Sequence, residues 1–180
     1  MNVKYLPMIL LILILGSCKN ATPIDELEVE KTQVVDDPFK VVLKVVSEND
    51  DDVALYYTTD GTTDFKLDAI WQGIQGNSAE QEVVFSLPAG VKPTQVRFDF
   101  AFKDKQEKLT IKQVAFINNG NTRTISGDEL GAFFRADVTK CTFNPSSGVV
   151  EPVIKNGKKE MPSIYPHEAV LRPELEKLAK

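Results

Sequence analysis

Within residues 94–101 apolar and polar side chains alternate: Val96, Phe98 and Phe100 take one parity, Gln95, Arg97 and Asp99 the other. A period of two marks a half-buried strand, with one face in a core and the other in water. From Phe39 onward, short runs rich in Val, Ile, Phe, Tyr and Thr recur between turn residues. They predict strands at 39–46, 53–58, 81–87, 94–101, 108–117, 137–143 and 149–154, and so a mostly β domain. About seven such strands suggest an antiparallel β-sandwich. In 108–117 the parity changes, because Leu109 and Ile111 share one face and Val114 and Phe116 the other. That requires a bulge near Lys112-Gln113 or burial of both faces.

Asp60-Gly61 and Asn119-Gly120 offer residues that tolerate positive φ, and both predict hairpins. Ser126 and Glu129 have the spacing of a capping box ahead of Leu130, Phe133 and Phe134, which predicts a short inserted helix at one end of the sandwich. Near the C-terminus, Pro173 suits a first helical position, Glu174 and Glu176 a first turn, and Lys177 and Lys180 a last one. Leu171, Leu175 and Leu178 form one stripe of that C-terminal helix. Short isolated helices are marginal in water, so the stripe is expected to dock on the sheet rather than on a partner.

The chain begins differently. Lys4 precedes the apolar run Leu6 to Leu15, which ends in Leu15-Gly16-Ser17-Cys18. A run of about 10 residues is too short to span a bilayer, which takes about 20. Small residues before a cysteine provide a cleavage site. This stretch resembles the signal of bacterial lipoproteins; a cleaved soluble secretory signal and an uncut membrane helix are the alternatives. The resemblance implies removal of residues 1–17 and lipidation of Cys18 with a diacylglyceryl and a further acyl chain, an anchor made stable by its several chains. Lys19 stands where many Gram-negative lipoproteins held at the inner membrane carry Asp, which implies the outer membrane. Lys19 with Asp25, Glu26 and Glu28 is similar to the basic-then-acidic export signals of Bacteroidetes surface lipoproteins, so the domain would face either the periplasm or the cell surface. Residues 18–38, polar and acidic, read as a flexible tether, and 39–180 as one β domain with its C-terminal helix.

Composition narrows the partners. The full chain has 21 basic and 26 acidic residues, and removal of 1–17 takes away one base, Lys4, and no acid. The bases are scattered among acids rather than clustered, which argues against nucleic acid and against a peripheral anionic-lipid surface. About 160 residues suffice for one core and not comfortably for two. With Cys18 consumed by lipid, Cys141 has no partner for a disulfide; it alternates with Phe143 and reads as a buried structural thiol.

Candidate chemistry is sparse. His167 is the only histidine, too few ligands for a His-based zinc site, and no Gly-x-Ser-x-Gly elbow accompanies it. It reads as a solvated residue at a helix start, and no residue is singled out as catalytic. Asp50-Asp51-Asp52, after Glu48 and Asn49, gathers hard oxygen ligands in one loop, either a solvated acidic turn or a structural calcium site; no other cofactor is expected. Trp71, the sole tryptophan, lies with Gln72, Gln75 and Asn77 in a Gly-containing connection. An indole stacks on the CH face of a pyranose while amides hold its hydroxyls; the alternative is partly buried packing. Arg97 and Asp99, about 7 Å apart along one strand face, read as a surface ion pair or as a pair that holds sugar hydroxyls.

Tyr56-Tyr57-Thr58-Thr59-Asp60-Gly61, Phe65, Val83-Val84-Phe85-Ser86-Leu87-Pro88, Val96-Arg97-Phe98-Asp99-Phe100 and Leu109-Thr110-Ile111-Lys112-Gln113-Val114 together resemble galactose-binding-like jelly-roll domains and carbohydrate-binding modules over residues 39–143. The resemblance implies a jelly-roll-like sandwich and a polysaccharide or envelope glycan as ligand. Three functions follow as expectations: a lipid-anchored, non-catalytic glycan binder; a structural or assembly lipoprotein that binds an envelope protein; and a small glycan hydrolase, which requires two carboxylates at glycosidase separation.

Overall fold

The alternation within residues 94–101 becomes strand β5 at the centre of a five-stranded sheet. A computed structural model describes residues 37–103 and 105–180. The signal segment, Cys18 and nearly all of the tether lie outside the described residues. In chain order the strands are β1 (Lys40–Ser47), β2 (Asp51–Thr58), β3 (Ile70–Ile74), β4 (Glu80–Ser86), β5 (Gln95–Phe100), β6 (Leu109–Asn118) and β7 (Asn121–Ser126). After helix α1 (Leu130–Phe133) come β8 (Phe134–Ala136), β9 (Cys141–Asn144), β10 (Val149–Pro152), the small hairpin β11 (Ile154–Lys155) and β12 (Lys158–Lys159), β13 (Ser163–Pro166) and helix α2 (Glu168–Leu178).

Two antiparallel sheets make a sandwich. The first runs β4-β1-β6-β10-β9 with β7 also paired to β6, and the second runs β3-β2-β5-β13-β8. Inward residues of both sheets, among them Val41, Leu43, Val53, Leu55, Phe85, Phe98, Phe100, Ile111, Phe116 and Ile164, belong to a single buried cluster. Each such side chain removed from water contributes roughly 1.5–3 kcal/mol, which makes this cluster the main source of stability.

The parity change in β6 is a bulge. Lys44 faces Gln113 while Val45 faces Ile111, so Lys112 is the extra residue, and both halves of β6 thereby keep their apolar side chains inward. Asn119 and Gly120, at φ 48° and 79°, form the predicted β6–β7 hairpin. Asp60-Gly61 does not close a tight hairpin: β2 and β3 do pair, but through the long loop of residues 59–69.

Both helices depart from expectation at their starts. Ser126 makes no side-chain cap bond, and Glu129 turns to Arg123 instead, so the capping box is not formed although α1 buries Leu130 and Phe133. Helix α2 begins at Glu168, with His167 as its N-cap residue and Pro173 inside it. The proline removes one backbone bond in the middle of the helix, and the docked face compensates: Leu171, Leu175 and Leu178 are buried. Gln95 Nε2 donates to the Glu168 carbonyl at 3.1 Å and Asn118 Nδ2 to that of Leu178 at 2.7 Å, which fastens both ends of α2 to the sandwich.

Residues 137–140, predicted as strand, are instead a turn. The carboxylate of Asp137 accepts from the Thr139 backbone and hydroxyl at 3.0 and 2.7 Å, and these local bonds outcompete a ladder. Cys141 follows, buried as expected, with its Sγ donating to the Ser163 carbonyl at 3.5 Å; burial pushes the thiol pKa up.

Candidate functional site

The second sheet's outer face carries most of the residues singled out above. In the β2–β5 register Ala54 faces Asp99, Tyr56 faces Arg97 and Thr58 faces Gln95, all pointing away from the inter-sheet core. In β13, Ser163 faces Asp99, so Tyr165 continues the row of Arg97. On the far side of β2, Ala54 faces Trp71 of β3. Trp71 and Asp99 therefore share one face, two strand spacings or roughly 10 Å apart.

Arg97 and Asp99 are not on a wet surface. Arg97 Nη2 donates to Asp99 Oδ2 at 2.9 Å, and their side chains are only 16% and 4% exposed. The 59–69 loop folds back and lays Phe65 over the guanidinium. Ring centres of Tyr56, Phe65 and Tyr165 lie 4.1, 5.1 and 5.2 Å from Arg97 Cζ. Arg97 Nη1 also donates to the Tyr165 hydroxyl at 3.3 Å. Desolvated cation–π contacts contribute up to about 2 kcal/mol each, which offsets part of the cost of taking this pair out of water. Among the described residues, Gln95 Oε1, Arg97 Nε and Asp99 Oδ1 are buried without a hydrogen-bond partner.

Trp71 is the reachable group, at 48% exposure. Gln72, also exposed, has the opposite parity and faces Val53, so it does not share the indole's face; Gln75 and Asn77 lie beyond the strand in the following turn. The backbone N–H and carbonyl of Gln75 exchange a pair of bonds with the Gln81 side-chain amide, at 2.9 and 2.6 Å.

The polar neighbour on Trp71's own face is Asp52, two pairs along the ladder and opposite Gly73. Its carboxylate, 41% exposed, accepts from Lys103 Nζ at 2.8 Å, and this bond holds the lysine pKa above the ordinary ammonium range. Gly73 adds no side chain to that corner. Beyond Lys103 opens a polar cleft of about 420 Å³ lined by Glu48, Asn49, Asp50, Gly76, Lys103 and Lys105. Gly76 closes it tightly, since a Cβ there would meet the Asn49 Cα at 2.4 Å, while its N–H donates to Asp50 Oδ1 at 2.8 Å.

Asp50, Asp51 and Asp52 diverge. Asp51 is buried, and its two oxygens accept from the backbone N–H of Phe102 at 3.2 Å and of Lys103 at 3.3 Å. Desolvation raises its pKa against those bonds. Asp50 binds Gly76 and Asp52 binds Lys103, so each carboxylate serves a different part of the loops. No group of three or more His, Cys, Asp or Glu able to hold a metal ion occurs among the described residues.

Asp52 as Trp71's neighbour, and Tyr56, Phe65 and Tyr165 as Arg97's cover, were missed by sequence reasoning. The first needed β3 to be read as a strand so that its register with β2 could be drawn. The second had one signal, an isolated Phe65 in a polar loop. Compared with known proteins, the chain matches no family model, and no curated protein or solved structure matches it.

Proposed function

We propose that this chain is a lipid-anchored, non-catalytic outer-membrane protein whose β-sandwich binds a glycan on the outer face of its second sheet. The observation that carries the reading is the half-exposed indole of Trp71 on the same face as the Asp52–Lys103 pair, next to a polar cleft of about 420 Å³. A sugar ring stacks its CH face on an indole while neighbouring carboxylate and ammonium groups bind its hydroxyls. Asp52 and Lys103 supply those groups here. Gln72 borders the site from the other side of the edge strand. Arg97 and Asp99, being covered, serve as its foundation by holding Tyr56, Phe65 and Tyr165 in place.

The anchor rests on Lys4, the Leu6 to Leu15 run and Cys18, and on the resemblance to lipoprotein signals. Cells expressing the chain with labelled palmitate should yield a labelled, membrane-bound product, and Cys18→Ser should abolish both; a labelled Cys18→Ser product would refute acylation at that sulfur. The jelly-roll resemblance supports the glycan class, and native affinity gels cast with galactan, xylan or β-glucan test it. The full-length protein should be retarded by at least one polymer, and Trp71→Ala or Asp52→Asn should restore its mobility without altering its circular dichroism. Equal mobility of all variants in every gel would end the glycan reading.

A protein partner is the second reading, favoured by Leu67, which is 53% exposed four residues before Trp71. It expects Leu67→Ser to release a co-purifying envelope protein, whereas the glycan reading expects Leu67→Ser to leave gel retardation intact.

A further inference from the structure

At the opposite edge of the second sheet from Trp71, about 19 Å across by strand spacing, the two sheets present their edge strands β8 and β9 to each other. Between them lies a cleft of about 620 Å³. That is within the usual range for a small-molecule site. Phe134, Phe143 and Val138 give it apolar walls, with the Cys141 thiol among its lining. Val138 is 81% exposed at its rim, an apolar side chain that the fold leaves bare.

Two groups in this cleft can bear positive charge, Arg135 and His167. Arg97, Arg123 and Arg172 each pair with a carboxylate, whereas Arg135 has none among the described residues and rests only against the Tyr165 ring, 5.4 Å from its centre. Asp137 also lines the cleft; its carboxylate is held by the Thr139 backbone and hydroxyl and makes no ion pair with Arg135. His167 is placed by its backbone N–H, which donates to the Phe133 carbonyl at 2.7 Å; its imidazole has no hydrogen bond to another described residue. An apolar trough with a guanidinium that makes no ion pair is complementary to an anion on an apolar body, and a planar guanidinium suits a carboxylate in two-point contact.

We propose that this cleft is a second binding site, for a small organic carboxylate with a compact apolar body: Arg135 and His167 take the carboxylate, and Phe134, Phe143 and Val138 enclose the body. The site does not rest on the glycan reading: Arg135 continues the outward row of Arg97 and Tyr165, but at the far edge of the sheet from Trp71, and none of the residues that would take the carboxylate is one that would hold the sugar.

3-Phenylpropionate and its neutral amide are the probes, titrated calorimetrically into the full-length protein in nonionic detergent. Saturable binding of the acid is expected, with the amide about tenfold weaker or more, as the loss of a charged hydrogen bond implies. Arg135→Gln, an exposed position whose change leaves the core intact, should weaken the acid by a similar factor, and Trp71→Ala should not. Equal affinity for acid and amide, or no effect of Arg135→Gln, would each overturn the proposal; uptake by the micelle alone would give that same insensitivity to Arg135→Gln.

Discussion

Asp99 accepts a 2.9 Å bond from the Arg97 guanidinium while remaining almost wholly shielded from water, although both residues point away from the core between the sheets. The pair belongs to a second, smaller interior formed by the outer sheet face and the 59–69 loop. Removing one member strands the other, which costs roughly 3–5 kcal/mol for buried pairs against at most about 1 kcal/mol for exposed ones. Asp99→Ala should therefore lower the urea midpoint by the larger amount, and the double change Arg97→Met/Asp99→Leu should be milder than Asp99→Ala alone. A loss below about 1 kcal/mol would return the pair to the class of surface ion pairs.

Gly148 and Gly157 share φ 74° and differ in their surroundings. A Cβ at Gly148 would lie 1.9 Å from the Ile111 carbonyl oxygen, and the Ile111 N–H donates to the Gly148 carbonyl at 2.8 Å. Nothing lies within 4 Å of a Cβ at Gly157. Gly157→Ala should lose about 1–2 kcal/mol for the left-handed backbone alone. Gly148→Ala should lose well over that, or fail to fold, because the β6–β10 junction has to open; similar urea midpoints for the two would contradict this.

Glu174 links α2 to β7. Its carboxylate pKa lies below the ordinary 4.5, first through its bond from Lys177 and then through Arg123, which also holds Glu129. A depressed acid stabilises the fold above its unfolded pKa and ceases to do so as pH falls through its folded one. At pH 7 the wild type should exceed Glu174→Gln by up to about 1 kcal/mol, since the network is largely solvated. That gap should close below pH 4.5, as thermal melts across the acid range would show; a gap that widens on acidification would contradict the assignment.

What was legible in the chain follows from how local each cause is. β5 and the β6 bulge announce themselves because parity is a property of a few neighbouring residues. So does the Asn119-Gly120 turn, and the same rule applies to Asn156-Gly157, which closes β11–β12 at φ 52° and 74°. β3 could not be read locally: Ile70-Trp71-Gln72-Gly73-Ile74 has an exposed aromatic and a glycine in its middle, and only its ladder with β2 makes it a strand. Alternation correctly sent Arg97 and Asp99 away from the core, but it carries no information about a loop that returns over them. The acidic triplet reads as a loop because charged residues rarely open a buried strand; Asp51 opens β2 because two backbone N–H groups meet its oxygens.

Trp71 is the sole tryptophan, so intrinsic fluorescence reports on the proposed glycan face alone. Titrating the full-length protein with the polysaccharide that retards it in the gel should shift the emission to the blue and saturate, and Asp52→Asn should weaken the midpoint about tenfold. An emission spectrum unmoved at polymer concentrations that retard the protein would place binding elsewhere and remove Trp71 from it.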